Sequence, residues 1–166
     1  MTSMRRVDHC GNTRGTRTSP PSSRRCPAIF SALRVTKKKM SEQTFLCLGA
    51  GEAATGISDL LVAAMRADGL TEAQARGRGW LVDSKGLVVA GRKELAEHKK
   101  PYAHKHSAVG DFIGALKALK PTAIIGVGAT PNTFTREVIE TMTQLNEYPI
   151  VFALSNPTSK AECTAE

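Results

Sequence analysis

No apolar run in this sequence approaches the roughly 20 residues needed to cross a bilayer, and its apolar stretches are of strand length, bounded by charges, Gly or Pro. A soluble protein is expected. The charged N-terminus is not followed by the apolar stretch of about 7 to 15 residues that a secretory signal requires. Cysteine is sparse and unpatterned: Cys10, Cys26, Cys47 and Cys163 form no CxxC and no Cys/His spacing of a metal site, so reduced thiols are expected and nothing implies a disulfide scaffold. Acidic residues are nearly missing from the first 39 positions, which hold ten Lys and Arg against Asp8 alone.

That imbalance locates the net charge of +8. Residues 1–39 carry +9 and residues 40–166 carry −1, so the basic character belongs to one end and not to the body. The end is rich in Arg, Ser, Thr and Pro (TRTSPPSSRR from Thr16 to Arg25) and shows no apolar period that would dock it, so residues 1–40 are read as a disordered basic tail. An organelle transit peptide and unrelated sequence joined to a domain both fit this composition. Cytoplasm, plastid and mitochondrion all stay open as compartments. The alternative function for such a tail is nonenzymatic, as a nucleotide-binding or basic-tail module meeting nucleic acid or a membrane surface. The near-neutral body argues for neither partner.

Residues 41–166, with the chain 41% apolar overall, can bury one core. Phe45-Leu46-Cys47-Leu48 reads as a buried parallel strand ending in a glycine turn. Ile57, Leu60, Leu61, Ala64 and Met65 then fall on one helix face, closed by Gly69. Trp80-Leu81-Val82 reads as a second strand ending at Asp83. A helix over Phe112 to Leu119, a strand over Ala123 to Val127, a helix marked by Phe134, Val138, Ile139, Met142 and Leu145, and a strand over Pro149 to Leu154 complete the series. Strands alternating with helices of this length predict an α/β fold, a Rossmann-like, mainly parallel sheet with flanking helices. Ser159 with Glu162 three residues later has the form of a capping box, which predicts a helix starting there and a domain that continues past Glu166.

The turn Gly49-Ala50-Gly51-Glu52-Ala53-Ala54 lies between strand and helix, the setting in which a GxGxxA pattern binds a pyrophosphate. Gly49 permits the sharp turn, Gly51 lets the backbone approach the anion, and Ala54 lets helix and strand pack closely, while free N–H groups and the helix dipole attract the charge. Asp83, 34 residues after Gly49, closes the second strand where an acid accepts adenosine ribose hydroxyls; the Thr71 to Gly79 stretch accounts for the added spacing. Ser84, Lys85, Lys99 and Lys100 are placed to meet the extra phosphate of NADP.

The segments FLCLGAGEAA (Phe45 to Ala54), WLVDSKGLVV (Trp80 to Val89), KKPYAHKH (Lys99 to His106), KPTAIIGV (Lys120 to Val127), TFTREVIE (Thr133 to Glu140) and FALSNPTSKAECTAE (Phe152 to Glu166) together closely resemble malic enzymes. The likeness covers roughly residues 41–166, and residues 1–39 show none. It implies oxidation of L-malate and decarboxylation to pyruvate and CO2 with NADP or NAD and Mg or Mn. The WLVDSKG form, with Ser84 after the acid, and KKPYAH resemble NADP-dependent, plant-type members. By this likeness Gly49, Ala50, Gly51, Glu52 and Ala53 belong to the pyrophosphate turn, Asp83, Ser84, Lys99 and Lys100 to the adenosine and phosphate site, and Asn156 of the LSNPT loop reaches toward malate and nicotinamide. The loop Gly128-Ala129-Thr130-Pro131-Asn132 departs from the family in holding one Gly and a Pro. The family's general-acid tyrosine, base lysine and acidic metal ligands lie upstream of the Gly49 turn, so the expectation is that no catalytic or metal-ligating residue is present and that the metal belongs to the complete enzyme. Dinucleotide is the expected partner here, malate or pyruvate only in the complete enzyme, and a homo-oligomer is implied by the family alone.

Overall fold

A computed structural model describes residues 27–163. Strand β1 (Phe45–Leu48) lies at the centre of a five-stranded sheet because all four of its residues are apolar and can be covered from both faces. Phe45 and Cys47 enter one core layer, and Leu46 enters the other. Strands β2 (Gly79–Asp83) and β4 (Ala123–Gly126) flank β1 in parallel. β5 (Ile150–Ala153) lies parallel beside β4, and β3 (Gly86–Leu87) folds back antiparallel on the outer side of β2. The order is β3-β2-β1-β4-β5. The expected Rossmann-like, mainly parallel sheet is present; the short reversed strand β3 was not anticipated.

Helices cover both faces. α1 (Pro27–Thr36), α2 (Glu52–Ala67) and α3 (Glu72–Arg76) place Ile29, Leu33, Leu61, Met65 and Ala75 against Phe45, Leu81 and Ile125. α4 (Phe112–Leu119) and α5 (Arg136–Leu145) place Leu116, Val138 and Met142 against Leu46, Val82 and Ile124. Leu81, Ile124 and Met142 are fully buried, and each such side chain contributes about 1.5–3 kcal/mol relative to exposure. The helix starts are set locally. Asp111 accepts the Gly114 N–H at 2.6 Å, and Thr135 accepts that of Val138 at 3.4 Å. Phe134, expected within the last helix, instead precedes it and stacks on Phe112 at 5.8 Å.

Two expectations are corrected. Composition reads residues 1–40 as a disordered tail, yet Pro27–Thr36 is helical. Ile29 and Leu33, one turn apart, are buried against the sheet, while Arg34 and Lys37 to Lys39 stay in solvent. Pro27 opens the helix where a missing N–H costs nothing. Residues 1–26, with Cys10 and Cys26, lie outside the described residues. The capping box of Ser159 and Glu162 does not form either. Thr158–Lys160 is a single 3-10 turn that contains Ser159, and the Glu162 carboxylate is drawn into the fold, where otherwise unpaired loop amides need an acceptor.

Candidate functional site

Chain reversal at the end of β1 is built from space. Gly49 has φ +120°, and a Cβ there would stand 3.0 Å from the backbone of Val127 and Gly128, so only glycine lets the turn pass the loop after β4. Its N–H donates to Val82 O at 2.8 Å, tying the turn to β2. Gly51 is the N-cap of α2 and supplies no side chain to it. A Cβ on Gly51 would meet nothing within 4 Å, because the position faces an open cleft. The leading N–H groups of α2 therefore have no intrahelical partner, and the helix dipole makes this end attractive to an anion. Glu52 and Ala53 are exposed in the first turn, whereas Ala54 is buried against the strand layer and its carbonyl accepts the Ser58 hydroxyl at 2.8 Å. The Cys47 thiol beneath is pushed up to about 11 by burial and has no chemistry to offer at neutral pH.

The second wall starts where β2 ends. Asp83 accepts the Lys85 N–H at 2.9 Å, Arg92 Nη1 at 2.8 and 2.9 Å on its two oxygens, and Lys99 Nζ at 2.7 Å. All three charged side chains are largely buried. Burial alone would raise the Asp83 carboxyl, but the hydrogen bonds from Lys99, Arg92 and the Lys85 N–H outweigh it and hold the group below the usual carboxylate range. A carboxyl depressed on folding contributes stability that is fully present above its unfolded value, about 3.9, and is lost as pH falls through the lower folded value. The melting temperature of the wild-type chain is therefore expected to fall more steeply below about pH 4 than that of Asp83→Asn. Parallel slopes would refute the assignment.

Lys99 reaches this cluster because its segment is pinned from both sides. Tyr102 is buried, donates to Asp59 at 2.6 Å and lies 5.4 Å beneath the Arg76 guanidinium. Burial and the Asp59 carboxylate raise its phenol well above the ordinary value, so it remains a donor. His98 Nε2 donates to Ala50 O at 3.1 Å, joining the same segment to the glycine turn. Lys100 turns away and pairs with Glu97.

A cleft of about 410 Å3 opens between these walls, lined among others by Gly49, Gly51, Asp83, Ser84, Gly128 and Thr130. It lies at the carboxyl ends of β1, β2 and β4, where crossovers leave in opposite directions and α/β sheets bind ligands. Of the residues singled out in the sequence, Gly49, Ala50, Gly51, Asp83 and Ser84 line it. Glu52 and Ala53 follow in α2, Lys99 stands behind Asp83, and Lys100 and Asn156 are not in its lining. Asn156 is exposed in the turn after β5. Pro131 does not close the departing loop to the cleft: Gly128, Thr130 and Thr133 all line it.

Sequence reasoning missed Arg92 and His98. Arg92 lies just beyond the β2–β3 hairpin, whose one signal is Gly86 at the start of the reversed strand. His98 was within a resembling region but carries no local cue for a backbone partner.

Fold and cleft together define a dinucleotide-binding domain of Rossmann type. A family model described as malic enzyme, NAD binding domain, matches residues 24–166, and the chain belongs to that family. The match reaches back beyond residue 41 and includes α1, in keeping with its packing. An NADP-dependent malic enzyme of Rattus norvegicus is 52% identical over 138 residues, 83% of this chain and 24% of the relative. NADP-dependent malic enzyme 2 of Arabidopsis thaliana is 51% identical over 140 residues, again 83% and 24%. A human mitochondrial NADP-dependent malic enzyme is 50% identical over 138 residues, 83% and 23%. A crystal structure assigned as a malic enzyme (malate oxidoreductase) superposes with a TM-score of 0.59 at 25% identity, over 80% of this chain and 32% of that one. The chain thus spans about a quarter of the length of the curated relatives it matches. Among the described residues no helix is long and apolar enough to cross a membrane.

Proposed function

We propose that this chain supplies the NADP-binding part of a malic enzyme, an activity that oxidises L-malate and releases CO2 to give pyruvate, and that it does not turn over malate by itself. The observation that carries the reading is the cleft at the strand-order reversal, with the open Gly51 cap on one side and Asp83 on the other. The pyrophosphate is held by the N–H groups of Gly51, Glu52 and Ala53 at the start of α2, and the adenosine ribose rests against Asp83 and Ser84. Gly49 and Ala50 shape the turn, with His98 holding the Ala50 carbonyl. NADP is favoured over NAD because Asp83 is already neutralised: two cations on one carboxylate leave a net positive cluster, which attracts a 2′-phosphate where a free acid would repel it. The Ser84 hydroxyl in the cleft lining is a further donor for that phosphate, Lys100 reaches it only by leaving Glu97, and Asn156 offers a neutral amide toward substrate. A bound dinucleotide supplies the hydride acceptor. Among the described residues there is no group of three or more His, Cys, Asp or Glu that could hold Mg or Mn.

Calorimetric titration of the full chain with NADP and NAD tests the reading. Saturable binding with NADP favoured is expected, and no binding of either would overturn it. Arg92→Gln removes one positive charge while keeping an amide near Gly86 O. The ratio of NADP to NAD affinity is expected to drop at least about tenfold, the size of one charge-assisted contact. An unchanged ratio would refute the charge argument while leaving dinucleotide binding intact.

A further inference from the structure

The loops that follow β4 and β5 meet beside the cleft, and one buried carboxylate joins them. Glu162 is 0% exposed, and the partners of its carboxylate are all neutral. Oε1 accepts the Gly128 N–H at 3.2 Å and the Ser155 hydroxyl at 2.5 Å, and Oε2 accepts the Ser155 N–H at 3.4 Å. The Ser155 oxygen in turn accepts the Ala129 N–H at 2.9 Å. Main-chain bonds extend the seam, from Asn132 N–H to Ala161 O at 3.3 Å and from Phe134 N–H to Glu162 O at 3.0 Å. A Cβ on Gly126 would lie 2.4 Å from Glu162 Cγ and Cδ, so the bare end of β4 is the berth for this side chain.

The loop so held is not one that keeps its own shape. Ala129 has φ +51°, a left-handed conformation that disfavours a residue with a Cβ, and Asn132 has φ +57°, which asparagine tolerates more readily. Gly128, Thr130 and Thr133 from this stretch line the cleft. A charged acceptor forms stronger bonds to N–H and O–H groups than a neutral one, so the carboxylate is suited to the task.

We propose that Glu162, acting with Ser155, is a positioning residue of the cleft: it locks the Gly128 to Thr133 wall in the shape that receives the dinucleotide. This rests on the dinucleotide reading given above. The clamp touches no cofactor atom and acts through the amides of Gly128 and Ala129.

Amide hydrogen exchange, thermal melting and NADP titration on the full chain test it with Glu162→Ala, Glu162→Gln and Ser155→Ala. Glu162→Ala and Ser155→Ala are expected to speed exchange at Gly128 and Ala129 without speeding it at Leu48 or Ile125, and to weaken NADP about tenfold, equivalent to one lost hydrogen bond to a charged group. Glu162→Gln, which retains an acceptor for Gly128, is expected to recover most of the protection and affinity. Unchanged exchange at Gly128 and Ala129 in Glu162→Ala overturns the clamp. So does a loss of protection spread evenly through β1 and β4, which marks a purely structural role. If the wild-type chain binds no dinucleotide, the functional reading fails, and the exchange data still decide whether the clamp exists.

Discussion

Gly51→Asp is expected to abolish dinucleotide binding while leaving the melting temperature unchanged or slightly raised. The two effects separate because they depend on different properties of one position. Gly51 is the N-cap of α2 in extended backbone, where aspartate is at least as favourable as glycine and its charge suits the helix dipole. No neighbour lies within 4 Å of the added Cβ, so the fold has room for the side chain. That room is the space a pyrophosphate must enter. The carboxylate would satisfy the same α2 amides and repel the diphosphate, and a loss of at least about 100-fold, roughly 2.7 kcal/mol, is expected. Titration and melting of the same sample check it. Retained affinity would remove the turn from the binding site, and a large drop in melting temperature would show that Gly51 is needed for the fold.

Gly86→Ala acts in the opposite sense, on stability first. Gly86 has φ +97°, and its Cβ would stand 2.2 Å from Val109 O and 2.9 Å from Gly110 Cα. These are backbone atoms, and Val109 O is held by the Leu87 N–H at 2.8 Å, so the neighbour cannot rotate aside. Left-handed strain of about 1–2 kcal/mol adds to overpacking of about 1–3 kcal/mol. A loss of about 3 kcal/mol lowers the melting temperature by roughly 10 °C in a domain of this size. Affinity should fall with it, since Gly86 O accepts Arg92 Nη2 at 2.6 Å and the hairpin holds Arg92 on Asp83. A melting curve superposable on the wild type would refute the strain argument.

These two glycines show what the sequence could and could not convey. Gly51 was legible because its role follows from a strand, a turn and a helix contiguous in the chain. The same locality made β1, β2, β4, β5 and the helices α2, α4 and α5 readable from apolar period alone. Gly86 was opaque, since its constraint comes from Val109, more than twenty residues away. α1 was hidden by its composition: Ile29 and Leu33 do repeat at helical spacing, but a run of basic residues around them reads as solvated tail. Glu162 matched a capping pattern with Ser159, and a local motif lost to a set of buried amides offered by other loops. Asp83 was placed correctly as the acid ending β2, while its two cationic partners depend on a hairpin and a 3-10 turn that no period announces.

The position of β1 also sets the order in which the domain can assemble. β1 pairs with β2 through a single intervening helical crossover, but its other neighbour, β4, begins 78 residues after it, and Thr44 donates across the same interval to Thr122. Closing a longer loop costs more entropy before contacts repay it, so contacts of high sequence separation form late. As the chain leaves the ribosome, the β1-α2-β2 half with its glycine turn can gather first, whereas the sheet stays one-sided until residue 126 has emerged. Until α4 and then α5 follow, the surface of β1 that they cover, led by Leu46, stays open to solvent.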